Sequence, residues 1–93
     1  MPHFVITISY IKPMDIVEEY TPEHRDFTRA LANTGVLKMS GPFEPRTGGM
    51  LICEAKDKYS VEYIFKQDPF WVNEIASYDI REWIVKVGAE LLG

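Results

Sequence analysis

The chain is poor in the residues that mark several large classes of protein. It has one cysteine, Cys53, in 93 residues, which excludes an internal disulfide framework and a cysteine-rich zinc site. It has two histidines, His3 and His24, with no ligand spacing between them. That argues against a metal site, and no cofactor is expected. Apolar runs are short. The longest, around Phe4–Ile8 and Ile84–Val87, cannot cross a bilayer. The N-terminal segment has neither the basic nor the apolar region of a secretory leader, so a cytoplasmic protein is expected. Basic charge is also scarce. Ten Lys and Arg stand against fourteen Asp and Glu, for a formal net charge of −4. The cations are scattered, which argues against nucleic acid and anionic membrane as partners.

What remains is an ordinary globular composition, 46% hydrophobic and 26% charged. The length suits one domain over residues 1–93. Phe4, Ile6, Ile8 and Tyr10 share one face of a strand over 3–10, with His3, Val5, Thr7 and Ser9 on the other. Asp15–Tyr20 can form a short helical turn. Thr21-Pro22-Glu23 reads as a helix start, with a hydroxyl cap, proline at the first position and an acid in the first turn. The spacing predicts a helix over about 22–34, stopped by Gly35. Strands follow at 36–40 and 50–55, joined across Gly41-Pro42 and a turn at Thr47-Gly48-Gly49. Asp57 can cap a second helix over 58–67, ended by Pro69. One more turn fits at 70–75, before a last strand over 76–87.

Strand–helix–strand–strand–helix–strand order predicts a ferredoxin-like α+β fold: a four-stranded antiparallel sheet with two helices on one face. The last strand reads apolar on both faces, with Tyr78, Ile80 and Ile84 opposite Trp83, Val85 and Val87. The helices cover one face, so a second copy of the chain is expected on the other, as a face-to-face homodimer.

This topology gathers His24, Ser40-Gly41-Pro42, Asp68-Pro69-Phe70, Ser77 and Tyr78 at one edge. In the predicted helix His24 occupies the first turn, where the positive helix end favours a neutral imidazole. It reads either as a core-edge histidine or as a general base. Asp68 reads either as a turn-forming aspartate or as the carboxylate that orients His24. Ser40 reads either as part of a strand exit or as a donor to a ligand oxygen. Cys53 lies mid-strand and reads as a small buried hydrophobe. Thr47-Gly48-Gly49 lacks the spacing and lysine of a phosphate loop.

Thr21-Pro22-Glu23-His24, Met39-Ser40-Gly41-Pro42-Phe43, Gly48-Gly49 and Asp68-Pro69-Phe70, in this order and spacing, resemble the YciI-like family over nearly the whole chain. The resemblance implies a dimeric ferredoxin-like α/β barrel and a cleft built around a histidine–aspartate dyad, His24 and Asp68. Ser40, Gly41, Pro42 and Phe70 would line the substrate side. Similar folds serve cofactor-free isomerases of aromatic degradation, and one member type removes chloride from a chlorinated hydroxyquinol. The expected function is therefore a cofactor-independent lyase or isomerase that moves a proton on a small polar or aromatic-derived molecule. The alternative is a non-catalytic small-molecule-binding or dimeric interaction domain. Members of the family often carry a small residue, usually glycine, five or six positions after the aspartate. Here Trp71-Val72-Asn73-Glu74-Ile75 has none, and Trp71 and Glu74 are expected to narrow the cleft or change its charge.

Overall fold

The computed structural model describes residues 1–93. Four strands, β1 (His3–Tyr10), β2 (Leu37–Pro42), β3 (Gly48–Glu54) and β4 (Ala76–Trp83), form one antiparallel sheet in the order β2-β3-β1-β4. Helices α1 (Met14–Asn33), α2 (Lys58–Phe65) and the short α3 (Pro69–Val72) complete the ferredoxin-like arrangement, with a closing 3-10 turn at Ala89–Leu92.

Alternation in β1 sets the core. Phe4, Ile6 and Ile8 are buried, and their partners across the sheet, Cys53, Leu51, Glu82, Ile80 and Tyr78, follow from the register. Val17 of α1, Val61 and Phe65 of α2 and Phe70 of α3 close over this face. Asp57 caps α2 by accepting the Ser60 N–H at 2.8 Å. The Ser60 hydroxyl donates to the same oxygen at 2.9 Å, and the two hydrogen bonds hold the carboxyl below the usual aspartate range.

Several boundaries differ from the sequence reading. Helix α1 does not begin at Pro22 but at Met14, so the expected turn at 15–20 is its own first part. Proline inside a helix removes one i→i−4 bond. Here Pro22 and Glu18, whose carbonyl loses its donor, are both exposed, so that carbonyl is open to solvent. Thr21 is not an N-cap; its hydroxyl donates back to the Val17 carbonyl at 2.7 Å. Gly48 and Gly49 are not a turn but the start of β3, and Gly41-Pro42 end the edge strand β2 rather than follow it. A Cβ at Gly48 would lie 1.9 Å from the Ile8 carbonyl oxygen, and one at Gly49 would lie 2.7 Å from that of Gly41. The strands approach too closely for any side chain there.

Strand β4 stops at Trp83, and Ile84 and Val87 lie beyond it, exposed. Its face away from the helices carries Ser77, Asp79 and Arg81 before Trp83, with Asp79 and Arg81 paired at 2.9 Å. The outer face of β4 is therefore mixed, not apolar throughout. Apolar surface on that side of the sheet comes instead from Val5, Met39 and Met50 on the other strands, while Ile52 beside them is buried.

Candidate functional site

His24 lies in the middle of α1, not in its first turn. The helix dipole acts within the terminal turns, so it does not set the charge of this imidazole. A side chain does. His24 Nδ1 lies 2.8 Å from Asp68 Oδ1 and 3.0 Å from Oδ2. In the neutral ring, a carboxylate at Nδ1 assigns the proton to that nitrogen and leaves Nε2 as the acceptor. Nε2 has no protein partner and is not a buried atom, and His24 lines a cleft. The basic nitrogen therefore opens on that cleft.

Asp68 is fully buried. It precedes Pro69 and is the N-cap of α3, where its Oδ1 accepts the Phe70 N–H at 3.0 Å. Its Oδ2 accepts the Tyr78 hydroxyl at 2.7 Å. Three donors thus surround one carboxylate, which is how a buried charge is tolerated. Burial, and then the negative Asp68 beside it, push the Tyr78 phenol well above its ordinary range. Tyr78 therefore stays protonated and remains a donor.

The His24 ring stacks on Phe70, with centroids 4.1 Å apart and planes 4° from parallel. Tyr10 meets the same Phe70 edge-on at 5.9 Å. A single Asp-Pro-Phe segment thus fixes the imidazole twice, through a carboxylate at its nitrogen and a ring against its face.

The cleft has a volume of about 270 Å³, just under the roughly 300–1,000 Å³ of small-molecule sites. Ser40, Gly41, Pro42 and Phe70 line it with His24, as the sequence reading grouped them. The Ser40 hydroxyl makes no hydrogen bond within the protein and is free to donate. Asp68 does not line the cleft; it stands behind His24. Ser77 faces the opposite side of the sheet and belongs to another hollow. Trp71 and Glu74 line that hollow as well, so they neither narrow the His24 cleft nor change its charge. Glu74 instead has a left-handed backbone, φ 55°.

The sequence reading missed Arg46, Arg25, Arg29, Tyr10, Thr21 and Thr28, all of which line the cleft. For Thr21, Arg25 and Thr28 a signal existed: they share a helical face with His24 once α1 is extended. Arg46 sits in a loop and had none. The lining supplies one imidazole and no carboxylate, which is a poor ligand set for a metal ion. Cys53 is buried, and burial pushes its thiol up to about 12, so it is no nucleophile at neutral pH.

The model of the YCII-related domain matches residues 3–84. The chain is 32% identical over 69 residues to the Bacillus subtilis (strain 168) protein named Uncharacterized protein YjpA, a match spanning 74% of this chain and 81% of that one. Among solved structures it resembles the 5-chloro-2-hydroxyhydroquinone dehydrochlorinase TftG of Burkholderia phenoliruptrix AC1100, determined in complex with 2,5-dihydroxybenzoquinone. That likeness has a TM-score of 0.77 at 19% identity and covers 90% of this chain and 95% of the other. At this identity the likeness concerns the fold.

Proposed function

The chain belongs to the YCII-related domain family, and from that premise we propose that it is a cofactor-independent lyase or isomerase that moves a proton on a small polar or aromatic-derived molecule. One observation carries the reading. His24 has Nδ1 tied to a buried carboxylate and Nε2 open on a small cleft beside an uncommitted hydroxyl.

In this reading Nε2 takes a proton from carbon next to a carbonyl, or from an enol or phenol hydroxyl. The imidazolium that forms is stabilised by Asp68, which holds the ring in place throughout. The Ser40 hydroxyl donates to the oxygen where negative charge develops. An isomerase returns the proton to a different carbon. A lyase instead forms a carbon–carbon double bond as the adjacent leaving group departs with its electron pair. The TftG neighbour, a dehydrochlorinase bound to a quinone, supports the lyase branch by analogy of fold. The mixed but partly apolar open face of the sheet supports a homodimer.

The test is hydrogen–deuterium exchange at the acidic C–H of small keto and enol compounds, followed by NMR in D₂O. Wild type should accelerate exchange of at least one compound. His24→Gln should lower that rate by about 10²–10⁴-fold, the usual contribution of a positioned base. Exchange unaffected by His24→Gln would remove His24 from the reaction. Binding without exchange would favour the second reading, a binding module in which Asp68 is a structural lock. Its joint contacts to α3 and Tyr78 give that reading its support.

A further inference from the structure

The cleft carries a charge opposite to that of the molecule. The chain has a net charge of −4, yet Arg25, Arg29 and Arg46 line the cleft and no Asp or Glu does. None of these arginines has a carboxylate partner. The ion pairs in the structure are His3–Glu54, His24–Asp68, Lys38–Glu54 and Arg81–Asp79.

Arg46 is held in place. Its Nε donates to the Tyr10 hydroxyl at 3.3 Å, and Nη2 donates to Thr21 Oγ1 at 3.1 Å. The guanidinium also lies 5.8 Å from the centre of the Tyr10 ring. A guanidinium has five N–H donors, so about three stay free. A fork already fixed by neutral partners loses little entropy when it engages an anion. Arg25 and Arg29 stand at i and i+4 on α1, both exposed. Like charges at that spacing destabilise a helix, and an anion between them reverses the sign of that interaction.

The rest of the lining is not that of an inorganic anion site. Tyr10 and His24 contribute aromatic surface, backed by the buried Phe70 ring, and Gly48 and Gly49 add bare backbone. A guanidinium held against aromatic lining suits an organic anion.

We propose that the ligand of this cleft is a small carboxylate on an unsaturated or aromatic body, with Arg46 gripping the carboxylate and Arg25 and Arg29 drawing it to the mouth. This specifies the substrate class of the site assigned above and rests on that assignment. Arg46 is the specificity-determining residue, and it works alongside His24 without being needed for the proton transfer itself.

The experiment is an NMR titration of the isotope-labelled protein with benzoate, with its neutral isostere benzamide and with inorganic phosphate. Benzoate should shift the His24, Ser40 and Arg46 signals saturably, with benzamide and phosphate weaker by about tenfold or more, as expected for a charged, fork-shaped donor. Arg46→Gln should weaken benzoate by about tenfold, and Arg46→Lys, which keeps the charge without the fork, by a smaller factor. Unchanged signals far from the cleft show that both variants fold. Arg25→Gln and Arg29→Gln should flatten the salt dependence of benzoate binding. Benzamide or phosphate binding as tightly as benzoate overturns the proposal, as does benzoate affinity indifferent to both Arg46 variants, or no benzoate binding at all. The proton-transfer reading fails separately. If His24→Gln binds benzoate normally and wild type shows no exchange activity, the anion site stands and the enzyme assignment falls.

Discussion

Replacing Asp68 with alanine should be among the most damaging single changes in this protein. The carboxylate is fully buried and accepts from His24 Nδ1, the Phe70 amide and the Tyr78 hydroxyl, at 2.8, 3.0 and 2.7 Å. Its removal strands all three donors at once and takes away the cap of α3. Each buried donor left unpaired costs about 1–3 kcal/mol; the Phe70 amide is itself the cap contact, so its loss enters once, at about 1 kcal/mol. His24 and Tyr78 are only partly buried and recover part of their loss from water. The expected total is about 3–5 kcal/mol, the range seen when one partner of a buried ion pair is deleted. At about 4–8 °C per kcal/mol for a domain of this size, the melting temperature should fall by about 12–40 °C. Asp68→Asn keeps the shape. Its oxygen can still accept from Phe70 and His24, while its NH₂ donates to a Tyr78 hydroxyl that rotates to accept. The bonds become neutral and roughly half as strong, but the burial cost of the charge disappears. The net loss should be about 1–2 kcal/mol, or about 4–16 °C. Thermal melts and urea titrations at one pH measure both variants, with the urea midpoint shifting at constant slope. The ring nitrogen resonances of His24 report its tautomer, which should lose its preference for Nδ1–H in Asp68→Ala. An alanine variant melting within about 4 °C of wild type, or one no worse than the asparagine variant, would refute this account of the carboxylate.

Three further outcomes follow from local geometry. Glu74→Gly should stabilise the fold by about 0.5–1 kcal/mol, because a left-handed non-glycine backbone costs about 1–2 kcal/mol and glycine's extra unfolded-state entropy returns part of the gain; a urea midpoint at or below that of wild type refutes it. Gly48→Ala should cost about 3 kcal/mol or more, since its Cβ would fall 1.9 Å from a backbone oxygen and the β1–β3 ladder must part to admit it; the same titration measures it. Asp57→Ala should lower the melting temperature at neutral pH, and the deficit should shrink as pH falls. The folded-state carboxyl of Asp57 is shifted downward from 3.8, so its contribution is complete above the unfolded value and is lost as pH drops through the folded one. A deficit independent of pH between neutrality and strong acid would contradict the charged-cap reading.

The element order was legible because each strand and helix carries a simple local signal. Alternation in Phe4–Tyr10 placed the core face of β1, and Asp57 announced α2. Asp68-Pro69 marked a chain reversal, and the structure adds that the same aspartate caps the next helix. The failures have physical causes. Thr21-Pro22-Glu23 has the chemistry of a helix start, but proline is also tolerated mid-helix where its i−4 carbonyl meets water, and nothing local distinguishes the two. Gly48-Gly49 looked like a turn, because glycine marks both left-handed turns and close strand approach, and only the neighbouring strand decides between them. The excess apolar character near the C-terminus was assigned to β4, although the strand ends at Trp83. The missing glycine after Asp68 bears on backbone strain at Glu74 and leaves the cleft untouched.

The site shows the same division between local and long-range causes. His24, Ser40, Gly41, Pro42 and Phe70 could be grouped from topology, since strand directions alone bring those chain positions to one edge. What acts on each residue there could not be read that way. The helix-end environment expected for His24 is absent, because the ring sits mid-helix and is oriented by a carboxylate 44 residues away. Tyr78 was placed at the edge, but its role as a donor to that carboxylate required a register and a rotamer. Arg46 was invisible, because a lone arginine in a loop carries no pattern and its orientation comes from Tyr10 and Thr21 on two other elements. Sequence position therefore determines which groups can meet, and packing determines which proton, charge or lone pair each presents. In this cleft packing directs an unprotonated nitrogen and an unpaired guanidinium into the same small space. Neither feature alone separates an enzyme from a binding module. Together they define a joint requirement, an anion for Arg46 and a removable proton within reach of His24, against which candidate substrates can be screened.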